Sequence, residues 1–219
     1  MAIRAFLFDF DGLILDTESA SRAGWDWLYR EQGHELPPKK WELVVGTTGA
    51  WSPMDHLEDL VGQPLERDAL NERRYAHELS LIEAEELRPG IADYLAAAER
   101  HGLKRAIVSS SSRRWIDMHL ARLEREVGWD AILAANGDHS RAKPNPVLYL
   151  EALEVLGVRA DEAVVFEDSP NGVHAGKAAG IFTVGIPNSV TRDYGLDEAD
   201  LIVDSLADLP PDELLARFS

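Results

Sequence analysis

The 219-residue chain is long enough for one large domain, or for one domain carrying a smaller insertion, around a sizeable core. Its 45% hydrophobic and 28% charged residues are ordinary for a globular protein, and a formal net charge of −17 would repel a nucleic-acid backbone, so any phosphate site must be a local island of positive charge. The absence of cysteine excludes disulfides, thiolate metal sites and thiol nucleophiles.

The first apolar run, Ile3 to Phe8, is short and interrupted by Arg4, Asp9 and Asp11, so no signal peptide or membrane span is expected; the default is a cytoplasmic monomer with no membrane or nucleic-acid partner. Six runs read as strands: Ile3–Phe8, Arg105–Val108, Ala131–Leu133, Ala163–Phe166, Phe182–Ile186 and Leu201–Val203. Several are too apolar to be half-exposed. Helices alternate with them. Pro89 begins one, Ile91, Leu95 and Ala98 give its buried stripe, and Gly102 ends it. Ile116, Leu120, Leu123 and Val127 stripe the next, closed by Gly128; Leu150, Leu153 and Leu156 stripe a third, closed by Gly157. The alternation predicts an α/β fold with a doubly wound, mostly parallel, Rossmann-like sheet.

Residues 17–85 break the pattern with charged helical segments and no convincing strand. They read as an inserted α-helical cap, residues 1–16 and 86–219 forming the core, and the insertion point puts the cap over the end of the first strand as a lid. Four of the six tryptophans, Trp25, Trp27, Trp41 and Trp51, fall inside it, and at least two are expected to build its small core.

Phe8-Asp9-Phe10-Asp11-Gly12 puts two carboxylates one residue apart where open α/β sheets bind ligands. They share one face if the chain is still extended, and like charges so close call for a cation or a shared proton. Asp and Gly are also ordinary turn residues, and on this segment alone both readings stand. Three further groups lie at the same predicted edge. Ser109-Ser110-Ser111-Ser112 leads from a strand into a helix start, where amides favour an anion or a serine simply caps the helix. Lys143 sits on the Pro-stiffened turn Lys143-Pro144-Asn145-Pro146. Glu167 and Asp168 end an apolar strand, where a carboxylate facing Asp9 would complete a sparse oxygen-ligand site for Mg²⁺.

Taken in order, these groups resemble the four motifs of haloacid-dehalogenase-superfamily phosphohydrolases with a helical cap inserted after the first strand. Asp11-Gly12-Leu13-Ile14-Leu15-Asp16-Thr17-Glu18 and Glu167-Asp168-Ser169-Pro170-Asn171-Gly172 are similar to the subgroup holding β-phosphoglucomutase and sugar-phosphate phosphatases. Leu13 departs from the Thr or Val of many members. The resemblance implies Asp9 as nucleophile and Asp11 as general acid and base. It further implies Mg²⁺ held by the side chains of Asp9 and Asp168 and the backbone carbonyl of Asp11, with Glu167 acting from behind through a metal water or by orienting Lys143. Ser109, the amide of Ser110 and Lys143 would stabilise the phosphoryl oxygens, and Asp16 would fix the hinge into the cap. The substrate is expected to be a small phosphorylated metabolite, a sugar or polyol phosphate, with Thr47 and Thr48 in the Gly-flanked cap loop contributing specificity.

A phosphosugar mutase is the alternative, and a catalytically idle binding module a more remote one. A mutase needs a second phosphate grip. At the corresponding positions the cap offers Ser21 and a loop without a basic residue, although Arg22 and Lys40 lie nearby. Gly172, Gly176 and Gly180 are assigned to close helix packing, and the seven histidines to surface or helix-end positions.

Overall fold

The computed structural model describes residues 2–41, 43–45, 51–123 and 128–218. Its centre is a six-stranded sheet, all parallel, of β1 (Ala5–Phe8), β2 (Lys104–Ser109), β3 (Ala131–Ala134), β4 (Ala163–Glu167), β5 (Phe182–Gly185) and β6 (Leu201–Ile202). The spatial order is β3-β2-β1-β4-β5-β6, the doubly wound order that reverses between β1 and β4. The helices are α1 (Thr17–Glu31), α2 (Pro38–Trp41), α3 (Pro53–Val61), α4 (Arg67–Ile82), α5 (Ile91–His101), α6 (Arg113–Arg122), α7 (Val147–Leu156), α8 (Pro170–Ala178) and α9 (Pro211–Ala216). No described helix is long and apolar enough to cross a membrane.

Every residue of β1 and β4 is buried, because the sheet is covered on both faces. Side chains alternate accordingly. Phe6 and Phe8 join Phe166, Val184, Ile91 and Tyr94 in one core layer, whereas Ala5 and Leu7 join Val165, Leu148, Tyr149 and Ala175 in the other. Phe166 is the hub of the first layer: its ring stacks on Phe8 at 4.9 Å and meets Phe6 and Tyr94 edge-on at 5.3 and 4.9 Å.

All six expected strands form, with ends moved by one or two residues. Two helix readings need correction. α5 begins at Ile91 rather than Pro89, because Gly90 before it has a left-handed φ of 88°. The buried face of α7 is Leu148, Tyr149, Ala152, Leu153 and Leu156, and Leu150 is 48% exposed, off the face that packs on the sheet. On α6, Ile116 is buried and Leu120 and Leu123 partly so, while Val127 lies outside the described residues.

Between β1 and α5 the described chain contains α1 to α4 and no strand, which makes this segment a helical cap. Its core collects Leu28, Tyr29, Trp41, Met54 and Leu57, with Trp25, Trp27 and Trp51 packed around them, and Val190 from the sheet domain joins the cluster. Asp16 caps α1 by accepting from the Ser19 amide at 3.1 Å. The returning chain is fastened beside the departing one. The Arg88 amide donates to the Ile14 carbonyl at 3.0 Å, and its guanidinium reaches the carbonyls of Gly12 and Pro187, the latter at 3.1 Å. Phe166→Ala should lower the free energy of unfolding by about 3–5 kcal/mol, read by chemical denaturation, because it empties the centre of the first core layer.

Candidate active site

β1 ends at Phe8, but the Asp9 amide still donates to the Phe166 carbonyl at 3.0 Å, so the chain is extended as the carboxylate leaves the sheet. The turn follows at once. Gly12, at φ 79°, lies where a Cβ would collide with Asp168 Oδ2 and come within 2.7 Å of Asn188 Nδ2. A left-handed backbone pressed against a carboxylate admits only glycine here. Leu13 is buried in the core beneath this loop, so its departure from Thr or Val concerns packing as well as the turn.

Lys143 is buried, against the common surface fate of lysine, with Nζ 2.5 Å from Asp9 Oδ1 and 2.6 Å from Glu167 Oε1. Tyr149 donates its hydroxyl to the same Glu167 oxygen, and its ring lies 5.4 Å from the ammonium. Burial pulls the lysine pKa down, but Asp9 and Glu167 more than offset this and raise it. The Ser110 hydroxyl accepts from the Lys143 amide at 3.1 Å, which ties the lysine loop to the end of β2. Gly172 of α8 sits directly over the Glu167 carboxylate, where any Cβ would clash.

Asp9, Glu167 and Asp168 offer carboxylate oxygens that all lie within 4.8 Å of one another. Asn188 donates to Asp168 Oδ2 at 2.7 Å, while Asp168 Oδ1 and Glu167 Oε2 are buried without a hydrogen-bond partner. Buried acceptors are rarely left so, and an oxygen-lined cluster with orphaned lone pairs fits a hard divalent cation. Burial pushes the Asp9 carboxyl up to about 8, Lys143 opposing, and pushes Asp168 well above the ordinary carboxylate range.

The Asp11 carboxylate is half-buried and held by four donors. Trp115 Nε1 and Thr17 Oγ1 donate to Oδ1 at 2.7 and 2.8 Å; Ser111 Oγ and Ser109 Oγ donate to Oδ2 at 2.6 and 3.3 Å. Ser112 caps α6, so the serine run divides between the site and the helix start.

Asp9, Asp11, Ser109, Ser110 and Ser111 line a cleft of about 280 Å³, closed on its far side by Thr17, Glu18, Ser21 and Trp25 of α1 and Arg74, Tyr75 and Glu78 of α4. Of the basic residues considered from sequence, Arg22 faces Asp26 at 4.0 Å and Lys40 lies 5.8 Å over the Trp51 ring; neither lines the cleft. Thr47 and Thr48 lie outside the described residues. The cap loop just before them touches the site domain, Asn171 Nδ2 donating to the Val45 carbonyl at 3.0 Å.

Sequence reasoning missed Tyr149, Asn188, Arg88, Trp115, Arg74 and Glu78. Only Tyr149 carried a readable signal, since it opens the i, i+3, i+4, i+7 stripe of α7. His119 stands in the last turn of α6, a helix-end position as expected. It is buried on α6 against Phe10 and Trp115, and desolvation lowers its pKa.

A family model described as haloacid dehalogenase-like hydrolase matches residues 3–180. The chain is 38% identical to YhcW of Bacillus subtilis, over 94% of each chain. It is 30% identical to hexitol phosphatase A of Escherichia coli, over 94% of this chain and 93% of that one. Its structure is similar to that of CbbY from Rhodobacter sphaeroides in complex with phosphate, with a TM-score of 0.73 and 31% identity over 94% of this chain and 96% of that one.

The raised carboxyls make the metal-free protein pH-sensitive. An unfolded chain releases these protons near its ordinary carboxylate pKa, 3.8 for Asp9, whereas the folded one keeps that of Asp9 to about 8. Stability present at acid pH is therefore lost as pH rises through that interval. In EDTA the melting temperature should fall from about pH 5 to about pH 8, and added Mg²⁺ should raise it more at the higher pH. A melting temperature flat in pH and indifferent to the cation would refute the cluster's role.

Proposed function

The chain belongs to the haloacid dehalogenase-like hydrolase family, and on that premise we propose that it is a Mg²⁺-dependent phosphatase of sugar or polyol phosphates that works through an aspartyl phosphate on Asp9. The observation that carries this reading is the buried Lys143–Asp9 pair beside the orphaned Asp168 oxygen, with Asp9 reaching the cleft alongside Asp11 and the serine run.

Attack on a phosphomonoester needs an ionised carboxylate, an aligned phosphorus and a proton for the leaving alkoxide. Lys143 favours the ionised form of Asp9 and holds its orientation, with Glu167 and Tyr149 fixing the ammonium from behind. An Asp9 oxygen forms a bond to phosphorus as the ester oxygen departs, and Asp11 gives that oxygen its proton. Asp11 then takes a proton from water, whose oxygen attacks phosphorus; the bond to Asp9 breaks, inorganic phosphate leaves and both carboxyl groups are restored. Asp9, Asp168 and the Asp11 carbonyl would hold Mg²⁺, which when bound would supply positive charge to the phosphoryl oxygens. Ser109, the Ser110 amide and Lys143 meet the remaining oxygens, and Ser109 gives up its 3.3 Å bond to Asp11 to do so. The cap, which we take to run from 17 to 85, excludes water and supplies the leaving-group contacts, with Thr47 and Thr48 assigned to that role.

Asp9→Asn keeps the shape and removes the attacking charge, so phosphate release should fall to the detection limit while the circular dichroism spectrum stays native. Residual turnover above a few per cent, about, would sink the covalent route. Calcium should inhibit, because its larger, looser coordination sphere displaces the nucleophile. With β-glucose 1-phosphate, a trace of the bisphosphate and Mg²⁺, the product should be inorganic phosphate with little glucose 6-phosphate; the reverse outcome would establish the mutase.

A further inference from the structure

The cap wall of the cleft carries one feature the proposed chemistry does not use. Arg74 and Glu78, one turn apart on α4, form an ion pair at the cleft, their side chains only 14% and 8% exposed. The Arg74 guanidinium carbon lies 4.8 Å over the Trp25 ring, and Ser21 of α1 hydrogen-bonds Glu78. Tyr75, next along α4, lies 6.0 Å from Trp115. Arg74 is the one cation among the described residues lining the cleft, against the four carboxylates Asp9, Asp11, Glu18 and Glu78.

Asp9 and Asp11 belong to the phosphoryl end, where Lys143 and a metal compensate charge. On the α4 wall of the cleft, Glu78 is matched by Arg74 alone. A second phosphate entering there would have to draw Arg74 from a buried partner and bring negative charge against the Glu78 carboxylate, a like-charge arrangement that costs heavily away from water. A hydroxyl meets no such obstacle. It donates to Glu78 while a neighbouring hydroxyl accepts from Arg74, and the indole and phenol rings offer apolar faces to the C–H surface of the same group.

Building on the phosphatase reading, we infer that the Arg74–Glu78 pair is a specificity element that takes a neutral, polyhydroxylated leaving group and turns away a substrate bearing a second phosphate. The pair selects by repulsion as well as by attraction.

Binding to the Asp9→Asn protein in Mg²⁺, measured by calorimetry with glucose 6-phosphate and glucose 1,6-bisphosphate, isolates this step from catalysis. The monophosphate should bind at least about tenfold more tightly. Adding Glu78→Gln should shrink that ratio several-fold, whereas Glu78→Asp, which keeps the charge, should retain most of it. Equal or tighter binding of the bisphosphate by the parent, an unchanged ratio in the Gln variant, or binding of neither probe overturns the inference. Failure of the wild type to release phosphate from any monoester would instead overturn the phosphatase reading, with the binding ratio still standing.

Discussion

One buried ammonium permits the arrangement at the sheet's edge. Asp9, Glu167 and Asp168 crowd together out of water, and three carboxylates so placed would hold their protons rather than their charge. Lys143, in contact with two of them, shifts that balance, and the features around it keep it there. Tyr149 donates to the same Glu167 oxygen, Ser110 ties the lysine's own loop to β2, and the bare Gly172 lets α8 close over the acid. The sheet order matters for the same reason. Only because β4 lies beside β1 do residues more than a hundred and fifty positions apart face each other across one gap.

How much of this is legible in the sequence follows from how each residue arrives. Asp9, Ser109 and Asp168 stand at or just past the end of an apolar strand, so the pattern that reveals the strand also dates the residue to the ligand-binding edge. Lys143 was recognisable only through its order among the others; nothing local distinguishes it from a surface lysine. Asn188 and Arg88 act through carbonyls and a carboxylate supplied by distant segments, and no periodicity marks such a role. Trp115 was hidden differently, since its ring suits a helix start and only its indole N–H, aimed at Asp11, betrays a second duty. The misplaced stripe on α7 had a price of its own: choosing Leu150 as a buried position turned Tyr149 away from the site.

The cap is helical, as expected, and the glycine-flanked loop assigned to specificity lies outside the described residues, while the sequence reading passed over two charged residues that line the cleft. Charged residues on a helix read as a solvated face, and Arg74 and Glu78 have that signature in one dimension. In three dimensions α1 and α4 pack side by side, so closely that a Cβ at Gly24 would already be in contact with the Glu78 side chain, and the pair is left facing Asp11 instead of bulk water. The sheet domain reaches back through Val190 in the cap core and through the hydrogen bond shared by the Ser19 and Ser189 hydroxyls at 2.8 Å.

Arg88 joins the two crossings between these parts, its amide on Ile14 and its guanidinium on Gly12 and Pro187. Seen from the sheet, everything between those crossings is a closed loop whose ends are already together. The entropy of closing such a loop grows only with the logarithm of its length, so helices can be added, lost or reshaped within it at little cost to the strands beneath. Asp9, Asp11, Lys143, Glu167 and Asp168 all lie outside the loop. On the proposed function, the loop can vary what is recognised while the chemistry beneath it stays untouched, and a chimaera joined at these two crossings should inherit its chemistry from one parent and its substrate preference from the other.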